Sequence, residues 1–171
     1  PAGVLAQLAV HWEKGREFRR AIEKSLAAAD VAAWRNPKDA RPFLEKALAL
    51  AGRLPEEEER GERVRLLVRL GRHDAETAEF AGDVALYDTA EQAVAEALGL
   101  EPVSIEAATV LGLIHLERGE NLRALEDFAR VIERAPDHAA AWDVLPYLFK
   151  NTGFWEHALA SHGRAASLHP R

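Results

Sequence analysis

The chain has 171 residues, of which 48% are hydrophobic, 29% charged and only 7% aromatic. Such a composition suits one helical domain with a real core, or one short repeat array, and excludes a disordered or collagen-like chain. The absence of cysteine excludes disulfides, thiolate catalysis and zinc–thiolate or iron–sulfur sites, and a net charge of −6 with no basic run argues against a nucleic-acid partner.

No apolar stretch approaches the roughly 20 residues that span a bilayer, so no membrane partner is expected. Residues 1–10 have neither a basic start nor a signal-peptide core, and a cytoplasmic location is expected. The absence of methionine suggests a processed chain or a piece of a longer one.

Leu5, Leu8, Ala9 and Trp12 have the spacing of an amphipathic first helix, which Gly15 breaks. Phe18, Ala21 and Ile22 open a second helix over about 17–34. Ala40, Leu44, Ala47 and Leu48 predict a third over about 39–51, with Pro42 in its first turn, where a missing N–H costs little. Pro55 opens the next helix. Its four carboxylates at 56–59 sit near the positive end of the helix dipole and read as a cap and solvated face. Val64, Leu67 and Val68, with Leu66 and Leu70 less regularly, predict its buried stripe. Over 71–84 the pattern is weak, and a short separate helix carrying Ala78, Phe80 and Ala81 is expected.

Beyond this point the chain repeats. Pro102, Pro136 and Pro170 are each 34 residues apart, and the same step relates Gly119 to Gly153, Leu111 to Leu145, and Ala90 to Ala124 and Ala158. One unit reads Ala108-x-x-Leu111-Gly112-x-x-His115, then Ala124-x-x-x-Phe128, then Pro136. The next reads Trp142-x-x-Leu145-Pro146-x-x-Phe149, then Ala158-x-x-x-His162, then Pro170. This pattern resembles the tetratricopeptide repeat, Trp-x-x-Leu-Gly-x-x-Tyr, Ala-x-x-x-Phe, Pro over 34 residues. Residues 74–102 match only in their second half, at Tyr87, Ala90, Val94, Ala97 and Pro102.

The resemblance implies an all-α, right-handed solenoid of about ten helices. It divides a single domain, 1–171, into divergent helical repeats over 1–70, a partial repeat over 71–102 and clear units over 103–136 and 137–170. Gly119 and Gly153 would end the first helix of each pair through the left-handed cap. Pro146 falls inside a first helix, where a kink near 142–146 is expected. The first 100 residues, on the patterns at 8–12, 18–22 and 39–54, also resemble the helical region that follows the ATPase module in some bacterial signalling proteins and transcription regulators.

Chemistry is hard to find. There is no phosphate loop, no dinucleotide fingerprint, no nucleophile elbow and no H-E-x-x-H motif. His115 and His162 occupy consensus aromatic positions and read as packed imidazoles. His157 and His162 are five apart, a poor spacing for two ligands on one face. A metal site built across helices, or a hydrolase using the His73–Asp74 pair, is the alternative, although no further ligand set is recognisable. No catalytic residue, metal or cofactor is therefore assigned.

What remains is surface. In tetratricopeptide arrays the first helix of each pair lines the concave, partner-binding face. Carried onto this chain, that face comprises Thr109, Val110, Leu113 and Leu116, flanked by Glu106 and Glu117, and Asp143, Tyr147, Lys150 and Asn151, flanked by Ala140 and Val144. Leu113 and Tyr147 stand where chaperone-binding repeats place asparagines for a C-terminal carboxylate, so a helix or an apolar extended segment is the better fit. The expected function is a non-catalytic scaffold for a protein or peptide partner, with self-association through an uncapped last repeat as a further possibility. A regulatory or sensor region of a larger signalling ATPase or transcription regulator is the alternative.

Overall fold

Alternation of Ala-rich apolar stripes with Gly or Pro breaks produces helices throughout. The computed structural model describes residues 1–168, which hold nine α-helices, one 3₁₀ turn and no strand. The chain forms two compact units, Pro1–Pro102 and Val103–Arg171.

In the first unit, α1 (Ala2–Lys14) packs on α2 (Phe18–Ala33), with Ala9 of the one and Ala21, Ile22, Ser25, Ala28 and Ala29 of the other buried. The helix ends at Gly15 as expected, but glycine does not supply the left-handed residue of the turn. Gly15 has φ −75°, and Arg16 takes the left-handed conformation at φ 60°. Asn36 caps a 3₁₀ turn (Pro37–Asp39) by accepting from the Lys38 amide at 3.2 Å, and α3 (Arg41–Ala51) follows with Pro42 in its first turn as expected.

Helix α4 (Glu56–Ala81) corrects the sequence reading. It starts at Pro55 with Glu56, Glu57, Glu58 and Glu59 in its first turn, but runs unbroken through Gly71 for 26 residues, so no separate short helix forms near Ala78. Val64, Leu66, Leu67, Val68 and Leu70 are all buried, since α3 and α5 (Ala85–Leu100) both pack on α4. Phe80, expected on that short helix, lies in the last turn of α4 and is 80% exposed. Gly71 is not a breaker because it is a contact point: a Cβ there would lie 2.5 Å from Val94 Cγ2 and 2.9 Å from the Ala90 carbonyl oxygen.

In the second unit, α6 (Ile105–Glu117) pairs with α7 (Asn121–Arg134), and α8 (Ala139–Asn151) with α9 (Trp155–Leu168). Ser104 caps α6, its hydroxyl accepting from the Ala107 amide at 3.3 Å. Gly119 (φ 75°) and Gly153 (φ 86°) supply the left-handed turns, as the spacing predicts. Gly112 brings α6 and α7 together: a Cβ would meet the Phe128 ring at 3.0 Å. Ala124, Phe128 and Val131 join Ala141, Leu145 and Leu148 of α8 in one core, against which Leu125, Ile132 and Trp142 are packed. The Trp142 indole N–H donates to the Pro136 carbonyl at 2.7 Å, tying the inter-repeat proline to the next hairpin. Helix α8 continues through Pro146. The stop expected at Pro170 lies outside the described residues.

The hydrogen bonds reveal the repeat register. Gly119 donates to Leu116 and Glu120 to His115; Gly153 donates to Lys150 and Phe154 to Phe149; Arg16 donates to Glu13 and Glu17 to Trp12. Arg16 is thus the counterpart of Gly119 and Gly153. A second hidden match is Leu67-x-x-Leu70-Gly71-x-x-Asp74, the equivalent of Ala108-x-x-Leu111-Gly112-x-x-His115. It stands 41 residues upstream rather than 34. Gly71 precedes the left-handed Gly82 by eleven residues where Gly112 precedes Gly119 by seven, and three further residues separate Gly82 from Ala90.

Candidate functional site

The positions usually filled by the consensus aromatic carry buried polar groups in two hairpins. Asp74 accepts from the Arg41 guanidinium of α3 and from the Thr89 hydroxyl at 3.3 Å. Burial pushes its carboxyl above the ordinary range, opposed by Arg41. His115 Nδ1 meets Asp127 Oδ2 at 2.6 Å, and Arg130 reaches the other oxygen at 3.1 Å. Burial likewise raises the Asp127 carboxyl, opposed by its bond to His115. Burial lowers the pKa of neighbouring His73. Each carboxylate is engaged by cationic or hydroxyl partners within the fold, and Asp74 with Arg41 forms a structural pin between α4 and α3. Among the described residues no three His, Asp or Glu side chains cluster to hold a metal ion.

The predicted surface residues separate. On α6, Leu113 is 37% exposed and Leu116 half-buried. Thr109 and Val110 are a correction: they are 8% and 1% exposed, and the Thr109 hydroxyl donates back to the Ile105 carbonyl at 2.8 Å, so neither side chain can meet a partner. Glu106 and Glu117 are exposed. On α8, Tyr147 is 54% exposed, and Asp143, Lys150, Asn151 and Ala140 are exposed, with Val144 half-buried. Asp143 and Tyr147 share a cleft of about 400 Å³ with Pro146, His162, Ala165 and Ala166. Asn151 lies instead in a larger cleft, about 720 Å³, formed with Thr152 and residues 119–123. The eight residues therefore do not make one pocket.

The last hairpin departs from one expectation and fits another, that of an uncapped last repeat. His162, expected to pack as a consensus aromatic, is exposed and lines the smaller cleft. Helix α9 also exposes Trp155 (62%) and Leu159 (78%), with Phe154 beside them at 48%. The 34-residue step alone points the other way: Leu125 and Phe128, the counterparts of Leu159 and His162, are packed in the α7–α8 core. In the first unit a third cleft of about 550 Å³ is lined by Arg16, Phe18, Arg20, Leu54 and Pro55, with Arg19 and Glu58 paired at 2.7 Å. No described helix is long and apolar enough to cross a membrane.

No protein-family model matches the sequence, and no curated protein matches it. Solved structures do. A crystal structure of MamA has a TM-score of 0.63, covering 98% of this chain and 91% of that one at 19% identity. A second MamA crystal structure gives 0.64, over 94% of each chain at 20% identity. The crystal structure of YrrB, a TPR protein with an unusual peptide-binding site, gives 0.63, over 97% of this chain and 85% of that one at 20% identity. The likeness is one of fold: an all-α array of helical hairpins of the tetratricopeptide kind.

Proposed function

We propose that this chain is a non-catalytic protein-interaction scaffold that holds a peptide or a helix of a partner on the α6–α8 side of its second unit. The observation that carries the reading is the pair Leu113 and Tyr147. They occupy the same position in successive hairpins, and both stay exposed although they are large and apolar. A surface that keeps such side chains in register, beside a cleft, is suited to apolar anchors on one extended or helical segment. The peptide-binding site for which YrrB is described supports the same class of partner. The exposed strip on α9 supports a second contact of the same class, self-association through the last hairpin.

The test is selection of a displayed random-peptide library on the wild-type protein, followed by affinity measurement on Leu113→Glu and Tyr147→Ala. Both substitutions fall on exposed side chains, so the fold should hold. Selected peptides should lose at least about tenfold in affinity on each variant, the equivalent of about 1.4 kcal/mol. Equal affinity on wild type and both variants would move the binding surface elsewhere, and a library that yields no binder would overturn the reading.

A further inference from the structure

His73 of α4 is held with half of its ring unanswered. The ring donates to the Pro37 carbonyl of the 3₁₀ turn, while Nε2 is shut off from solvent and meets no hydrogen-bond partner among the described residues. The same Pro37 carbonyl accepts from the Ala40 amide at 3.1 Å, the bond that closes the turn. One oxygen therefore ties the α2–α3 connection both to itself and to α4. The turn packs on α2, α3 and α4 alike.

An imidazole fits this seat only while neutral. A proton on Nε2 would add an N–H with no acceptor, and a charge, where water does not reach. The charged groups around it do not remove that cost. On α4 itself are Asp74, already bonded to Arg41 and Thr89, and the exposed Glu76. Helix α3 brings Arg41, which repels an imidazolium. The turn carries Lys38 and Asp39, both exposed, and α5 brings Thr89, with Asp88 exposed beside it. Burial outweighs the two carboxylates of α4 and holds the ring below its ordinary range.

We propose that His73 is a pH-operated latch on the α2–α3 connection: neutral, it fastens the Pro37–Asp39 turn to α4; protonated, it leaves its seat and lets that turn go. The sign follows from linkage. Opening returns the ring to its ordinary value of about 6.5, above that of the closed form. The closed form is thus fully favoured above about pH 6.5 and loses ground as pH falls, by at most about tenfold at pH 5.5. The Arg41–Asp74 pair holds α3 on α4 without the ring, so the loosening is confined to the turn.

Hydrogen exchange followed by NMR at about pH 7.5 and 5.5 tests this, each rate divided by its intrinsic chemical rate at that pH. The readouts are the amides of Asp39 and Ala40, which donate to the Asn36 and Pro37 carbonyls, with the amides of α7 as the reference. In wild type the turn should lose protection by up to about tenfold at the lower pH while α7 keeps its own. In His73→Gln, whose carboxamide can still donate to Pro37 but takes no proton, the difference between the two pH values should vanish. The His73 ring itself, followed by its carbon shifts in wild type, should titrate below the free-histidine value of about 6.5. Turn protection in wild type that is indifferent to pH, or the same loss in His73→Gln, overturns the latch. So does a ring that titrates at or above the free value, a result read on wild type alone whether or not the variant folds.

Discussion

One substitution made twice in a single helix tests how α4 and α5 pack. Glycine in a helix interior costs up to about 1 kcal/mol relative to alanine, so Gly→Ala should stabilise wherever the added methyl finds room. At Gly61, an exposed position of α4, nothing lies within 4 Å of the new Cβ. Gly61→Ala should therefore raise stability by about 0.5–1 kcal/mol. At Gly71 the methyl would stand 2.5 Å from Val94 Cγ2 and 2.9 Å from the Ala90 carbonyl oxygen. Val94 is fully buried and has no room to swing away, and the carbonyl is backbone, so relief requires α4 and α5 to separate. Overpacking of this kind costs about 1–3 kcal/mol, and the helix-propensity gain offsets about 1 of it. The net expectation for Gly71→Ala is a loss of up to about 2 kcal/mol, against the gain expected for Gly61→Ala. Urea denaturation followed by far-UV circular dichroism reads both as shifts in midpoint at constant slope. A Gly71→Ala protein stabilised as much as Gly61→Ala would refute the close approach, and with it the alignment of Gly71 with Gly112.

Other perturbations probe the first hairpin and the buried pair. Arg16 is the one non-glycine residue at positive φ among those described, and a left-handed L-residue costs about 1–2 kcal/mol. Arg16→Gly should stabilise by up to about 1 kcal/mol once the greater freedom of unfolded glycine is deducted; a loss in the same urea assay would mean that Arg16 makes contacts outweighing its strain. The Asp127 carboxyl, raised by burial, binds its proton more tightly folded than unfolded. Its contribution to stability is full below the unfolded value of about 3.9 and is lost as pH rises through the higher folded value. The stability of wild type relative to Asp127→Asn should therefore fall as pH rises across that window, measured by urea melts at several pH values. A rising difference would show that His115 and Arg130 outweigh burial.

The parts of the fold visible in the sequence are those where repeats keep a constant step. Pro102, Pro136, Gly119 and Gly153 mark the second unit's hairpins, and all helices there lie where the spacing places them. The first unit hides its register for two local reasons. Its left-handed seat holds Arg16 where glycine is expected, so Gly15 draws attention to the wrong residue. Its Leu67-to-Asp74 signature is displaced by seven residues because α4 carries an extra turn and the following connection is longer. Asp74 also replaces an aromatic residue, and its partner Arg41 lies 33 positions away, a relation no periodicity can show. The exposed Leu113 and Tyr147 followed from their place on first helices. The burial of Thr109 and Val110 did not, because helical spacing assigns a face but not what covers it.

The Arg41–Asp74 pin has a consequence for how these hairpins can be rearranged. The anion belongs to α4 and its cation to α3, across a loop. A module cut at Pro55 and grafted into another array would bring along an interior negative charge and leave its counter-charge behind, a defect far costlier than an ordinary seam. The α3–α4 junction is in that sense a lock between neighbours, and recombination within this chain should respect it even where the repeat boundary invites a cut.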